Sequence, residues 1–159
     1  MMIVNRFVTT VLGVDEKLSL SEAQTLFARG DLTQAAEACR AIYRDSPDNA
    51  GAIHLLGVVL AAAGQNDAAC VWLERALAVG GANASLLFDY GMTVRRLGHL
   101  VQAARAFRLA ADADVRDVEA RFALGTTRMA LGEYGQAVAA LQTAAELAPD
   151  RSDIRGHLG

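Results

Sequence analysis

The stretch AGAIHLLGVVLAAAGQNDAACVWLERALAVGGAN, residues 50–83, runs directly into ASLLFDYGMTVRRLGHLVQAARAFRLAADADVRD, residues 84–117, and the two align position for position. Gly57 falls on Gly91, Gly64 on Gly98, Ala69 on Ala103, Leu73 on Phe107 and Ala76 on Ala110, an offset of 34 residues. The same offset continues outward. Gly30, Gly64, Gly98 and Gly132 form one comb, and Gly57, Gly91, Gly125 and Gly159 form another. Ala35, Ala69, Ala103 and Ala137 follow the first comb at a fixed distance, as do the larger Cys39, Leu73, Phe107 and Leu141, and then Ile42, Ala76, Ala110 and Ala144. A fixed period of this length, without strand-like alternation, is the trace of stacked helix-turn-helix units, each of which buries its apolar face only against a neighbour.

Each recurring position has a physical reason. A glycine inside a helix costs about 1 kcal/mol relative to alanine, so Gly57, Gly91 and Gly125 at mid-helix imply close approach of a partner helix. The alanines at 69, 103 and 137 are expected to supply the matching small surface on that partner. Gly64, Gly98 and Gly132 are expected to end the first helix of each pair, where positive φ turns the chain.

Immediately before the second comb stand the strings HLLG (54–57), FDYG (88–91), FALG (122–125) and GHLG (156–159). With these positions in register, the chain resembles the tetratricopeptide repeat family from Glu16 to Gly159, as repeats at about 16–49, 50–83, 84–117 and 118–151 with a partial fifth at 152–159. The resemblance implies an all-α fold, a right-handed α-solenoid of stacked antiparallel helix pairs. Departures from the pattern are local. Ala23 replaces the mid-helix glycine in the first repeat, and Gly80-Gly81 and Val115 stand where Pro47 and Pro149 close their repeats. Arg121 and Arg128 occupy places held by Ile53 and Leu60, then Leu87 and Val94, in the preceding repeats. Asp112, Asp114 or Asp117 are their expected counter-charges, with looser local packing as the alternative.

At 159 residues and 53% apolar content the chain is sized for one domain with a continuous core. A net charge of −3 with interspersed signs leaves no basic stripe, which argues against nucleic acid and anionic membranes as partners. Cys39 and Cys70 fall on different second helices without metal-ligand spacing and read as free apolar thiols, in keeping with a reducing cytoplasm. Trp72 reads as packing or a convex-face contact. His54, His99 and His157 lie at three phases of the repeat and do not converge. With no G-x-S-x-G, Walker-type loop, H-E-x-x-H or C-x-x-C, the expectation is a protein without catalytic residues, cofactor or metal.

Outside the repeats, Ile3, Val4, Phe7, Val8, Val11 and Leu12 recur at helical spacing opposite Asn5, Arg6, Thr9 and Thr10. Residues 1–15 are therefore expected to form a short amphipathic helix that caps the first repeat, or else docks on a neighbour and pairs two chains. The segment is too short to span a bilayer and lacks the form of a secretory signal. Ser19 with Glu22, or Ser21 with Gln24, offers a capping box for the first repeat helix. Because the sequence stops within the fifth repeat without a polar capping helix, the expectation is that it is the front part of a longer protein.

In tetratricopeptide arrays the first helix of each pair lines a concave face, and the resemblance carries that role onto three rungs here. They are Leu20, His54, Phe88 and Phe122; then Gln24, Val58, Met92 and Thr126; then Phe27, Ala61, Arg95 and Met129. Asp89 and Arg96 join Arg95 as polar guides. The lysine and asparagine clamp of members that bind chaperone tails is missing, since His54, Val58 and Asp89 stand in its places. So is the asparagine ladder of eukaryotic-type O-GlcNAc transferase arrays, where Ser21, Leu55, Asp89 and Ala123 stand instead. The expected function is a non-catalytic module that holds a peptide or helix of a protein partner. The alternatives are the substrate-docking segment of a larger bacterial transferase, to which DNAGAIHLLGVVLAAAGQ (48–65) is similar, and a small secretion chaperone. On this reading, Phe88→Ala with Phe122→Glu removes partner capture and leaves melting nearly unchanged.

Overall fold

The computed structural model describes residues 19–158. The expected helix over 1–15 lies outside them. Nine helices follow one another among the described residues: α1 (Leu20–Ala28), α2 (Leu32–Asp45), α3 (Ala50–Ala62), α4 (Asn66–Gly80), α5 (Ala84–Arg96), α6 (Leu100–Ala113), α7 (Val118–Ala130), α8 (Tyr134–Leu147) and α9 (Ser152–Gly156). They pack as the pairs α1–α2, α3–α4, α5–α6 and α7–α8, and each second helix packs in turn on the first helix of the next pair. The result is an all-α solenoid.

Local chemistry sets both ends of the first helices. Asn49, Asn83 and Asp117 cap α3, α5 and α7, their side-chain oxygens accepting from the N–H of Ala52, Leu86 and Ala120 at 3.0, 2.9 and 2.9 Å. These caps also recur every 34 residues, a third comb beside the two of glycine. Helix α1 opens instead with the Ser19–Glu22 capping box. At the other end Gly30, Gly64, Gly98 and Gly132 all have φ between +76° and +84°. Each is followed by an N–H that reaches back to a carbonyl in the last turn, as Gln65 does to Leu60 and His99 to Val94 at 2.9 Å. This is the Schellman closure, repeated four times.

Within each pair the mid-helix glycine admits one large side chain. A Cβ built on Gly57 would lie 2.7 Å from Leu73 Cγ, one on Gly91 2.7 Å from Phe107 Cε1, and one on Gly125 2.6 Å from Leu141 Cγ. The glycines face Leu73, Phe107 and Leu141 first, beside the expected small partners Ala69, Ala103 and Ala137, and the Ala137 carbonyl also lies 3.2 Å from the Gly125 Cβ position. Those alanines are themselves fully buried and let the helices close around the inserted side chain. In the first repeat both members change together: Ala23 stands for glycine and the smaller Cys39 for leucine, both with no exposure and in one core cluster.

The two out-of-pattern arginines are also accommodated differently from expectation. Arg121 donates to the backbone carbonyls of Val115 (2.7 Å) and Ala111 (3.5 Å) at the C-terminal end of α6, not to Asp112, Asp114 or Asp117. Unpaired carbonyls and the negative end of the helix dipole gather there, so a cation is favoured without a carboxylate. Arg128 Nε faces Glu133 at 3.9 Å and is buried without a hydrogen-bond partner. Beyond α8, Ile154 of α9 is fully buried against Leu141 and Ala144. Arg151 pairs with Glu119 and Asp153, and the hydrogen bonds from Arg151 hold the Asp153 carboxyl down to about 2.

Three glycine-to-alanine changes should separate by mechanism in thermal melts. Gly91→Ala forces Phe107 to shift and is expected to cost about 1–3 kcal/mol, as overpacking does. Gly98→Ala places a side chain at φ +83° and is expected to cost about 1–2 kcal/mol. Gly135→Ala, on α8 with nothing near its Cβ position, is expected to be neutral or to gain up to about 1 kcal/mol.

Candidate functional site

First helices of successive pairs lie side by side, α1 against α3 and α3 against α5. The rung residues read from the sequence all lie on the four first helices, α1, α3, α5 and α7. Nearly all of them are half-buried, with only Gln24 and Arg96 exposed.

Polar links join these first helices to one another. His54 Nε2 of α3 meets Asp89 Oδ2 of α5 at 2.7 Å. Arg96 Nη1 donates to the Ala61 carbonyl of α3 at 3.5 Å, and Arg95 Nη1 donates to Thr126 Oγ1 of α7 at 3.3 Å. Helix α5 is thus tied to its neighbours on both sides. Thr126 in turn donates its hydroxyl hydrogen to the Phe122 carbonyl of α7.

The aromatic rungs take part in packing. The Phe88 ring lies 5.6 Å from that of Phe107, the side chain seated over Gly91. Phe122 lies 5.4 Å from the His157 ring, with the Arg151 guanidinium 5.9 Å above it. Leu20 sits against Gly51 of α3, where an added Cβ would come within 2.7 Å of Leu20 Cδ2. Phe27 and Ala61 border the first core cluster and Met129 the last. Val58 and Met92, between the aromatic rung and the arginines, border the central clusters from the same face. The expectation that Phe88→Ala with Phe122→Glu leaves melting unchanged is therefore corrected, because both rings contribute to the core.

Elsewhere the described residues offer little chemistry. They contain no group of three or more His, Cys, Asp or Glu placed to hold a metal ion. Burial pushes the Cys39 thiol up to about 11; burial and then the Glu74 carboxylate do the same to Cys70, so neither forms a thiolate readily near neutral pH. Tyr90, which donates to Glu74 at 3.1 Å, is raised to about 12 by burial first and that hydrogen bond second. Trp72 packs edge-on against Tyr43, ring centroids 5.0 Å apart, and is accounted for by that contact. No described helix is long and apolar enough to cross a membrane.

Two tetratricopeptide repeat models match the chain, one over residues 26–86 and one over 89–152. The chain belongs to the tetratricopeptide repeat family. Among solved structures it is similar to YrrB, described as a TPR protein with an unusual peptide-binding site, at 22% identity and a TM-score of 0.79 over 85% of this chain and 70% of that one. It is similar to MamA at 18% identity and 0.81 over 86% and 80%, and to MamA from Desulfovibrio magneticus RS-1 at 18% and 0.81 over 87% and 78%. At these identities the likeness concerns the fold. No curated protein matches the sequence.

Packing on Phe107 assigns Phe88 a measurable share of stability. Phe88→Ala is expected to lower the unfolding free energy by about 2 kcal/mol, below the range for a fully buried ring because Phe88 is only half-buried, and denaturant titration should read the loss directly.

Proposed function

We propose that this protein is a non-catalytic interaction module that holds a peptide or helix of a protein partner in the concave groove formed by α1, α3, α5 and α7. The observation that carries the reading is the row of half-buried apolar side chains, Val58 and Met92 foremost, kept at one register on the inner face between polar cross-links. A soluble repeat protein gains nothing in folding by leaving such a row part-open, whereas a partner's apolar side chains would complete its burial. The fold shared with YrrB, whose own description includes a peptide-binding site, supports the same reading. Methionine adapts its shape to irregular surfaces, and a short peptide in such a groove binds at about micromolar strength, roughly −8 kcal/mol.

The test uses substitutions that the repeat itself tolerates. Gln24 occupies in the first repeat the register of Val58 and Met92, so glutamine there is compatible with the fold. Peptides selected from a random library on the immobilised full chain should bind Val58→Gln/Met92→Gln at least about tenfold more weakly, the equivalent of about 1.4 kcal/mol. Val71→Gln/Val101→Gln, which removes comparable apolar surface from exposed positions on the second helices α4 and α6, should leave binding unchanged. Equal sensitivity to both pairs would place the contact outside the groove.

A further inference from the structure

Charge within the groove is unevenly spent. Among the described residues the arginine–carboxylate pairs are Arg128–Glu133, Arg151–Glu119 and Arg151–Asp153, and His54 contacts Asp89. Asp89, the one acid on the central rungs, is hydrogen-bonded to His54 Nε2 at 2.7 Å. Arg95 and Arg96 meet no carboxylate among the described residues. Each directs one N–H at a neutral oxygen, Thr126 Oγ1 on one side of α5 and the Ala61 carbonyl on the other. Since a guanidinium carries five N–H donors, both retain most of their hydrogen-bonding capacity.

The repeat architecture does not ask for these cations. The same two registers read Phe27 and Ala28, Ala61 and Ala62, and Met129 and Ala130 in the other repeats, none charged. Helices α1 and α3 close without a basic residue in the last turn, so the helix dipole does not require one either. Nor does overall charge explain them, because the chain is net negative at −3. Two unneutralised guanidiniums on a mainly apolar inner face form a local site for planar carboxylates, which accept paired N–H bonds from arginine.

Resting on the groove reading above, we infer that the occupant is an acidic protein segment in which aspartate or glutamate alternates with apolar residues, its carboxylates held by Arg95 and Arg96 and its apolar side chains by Val58 and Met92. The two arginines straddle α5, so a segment crossing the middle of the stack meets both.

The test is the amino-acid bias of peptides selected from a random library on the immobilised full chain. The wild-type protein is expected to enrich Asp and Glu interspersed with apolar residues. Arg95→Glu/Arg96→Glu should lose that bias or turn it toward Lys and Arg, and should bind a wild-type-selected acidic peptide at least about tenfold more weakly by fluorescence anisotropy. Arg95→Gln/Arg96→Gln removes the charge without reversing it and should also lose the bias, which keeps the question answerable if the reversal unfolds the protein. Arg105→Glu/Arg108→Glu applies the same charge change to exposed positions on α6 and should retain the acidic bias. Wild-type affinity for the acidic peptide should fall as salt rises through the physiological range.

An enriched set without acidic bias, or a bias indifferent to both changes at 95 and 96, overturns the inference; the groove reading survives if Val58→Gln/Met92→Gln still weakens binding. Selected peptides indifferent to that pair as well overturn the groove reading with it, as does the absence of any enrichment. Tighter binding of a single-stranded oligonucleotide than of any selected peptide would assign the arginines to phosphate and also overturn the inference.

Discussion

The insertion of one large side chain across a mid-helix glycine is the contact on which the remainder of this structure depends. Leu73, Phe107 and Leu141 occupy space that a methyl group on Gly57, Gly91 or Gly125 would fill, since the built Cβ positions lie only 2.6–2.7 Å from them. Two helix backbones can approach this closely only if one side of the interface has no Cβ, and the resulting fit offsets the helical cost of glycine. Once the separation and rotation within a pair are set, the direction of every other side chain on the first helix follows. The first repeat reaches a similar fit by moving volume across the interface, with Ala23 in place of glycine and Cys39 in place of leucine.

That interlock also determines what the inner face can be. Phe107 over Gly91 meets Phe88 with the two rings tilted, 5.6 Å apart, and ties this aromatic rung to the core. Phe122 is engaged by His157 and Arg151 where the fifth unit begins. Phe88, Phe122, Val58 and Met92 are all half-buried, so each divides its surface between the core and solvent. Hydrogen bonds from α5 to α3 and to α7 connect units that otherwise touch mainly through apolar surface.

Membership of the tetratricopeptide repeat family leaves the biological role open, because one solenoid fold serves unrelated partners. On the proposed reading, specificity comes from the few first-helix positions that the repeat does not prescribe. Arg95 and Arg96 are such positions, and so is the His54–Asp89 pair, which joins two successive units at 2.7 Å. Residues that recur in every unit build the stack, and residues that break the recurrence on its inner face are the ones available to distinguish partners.

The sequence was enough to read the helix pairs and their glycine turns with positive φ, and it narrowed the first capping box to Ser19–Glu22 or Ser21–Gln24, of which the structure shows the former. The family resemblance followed from the same registers. The caps at Asn49, Asn83 and Asp117 were equally legible as a comb of 34 residues but were overshadowed by the glycines. Other features were decided by tertiary structure: which side chain fills each glycine notch, the capture of Arg121 by carbonyls in and just after the last turn of α6, and the contacts of Phe88 with Phe107 and of Phe122 with His157. The pairing of His54 with Asp89 belongs with them. Each joins side chains on different helices, and its outcome depends on the angle and separation at which those helices pack. A linear pattern specifies that helices must meet; the volumes in contact decide which atoms do.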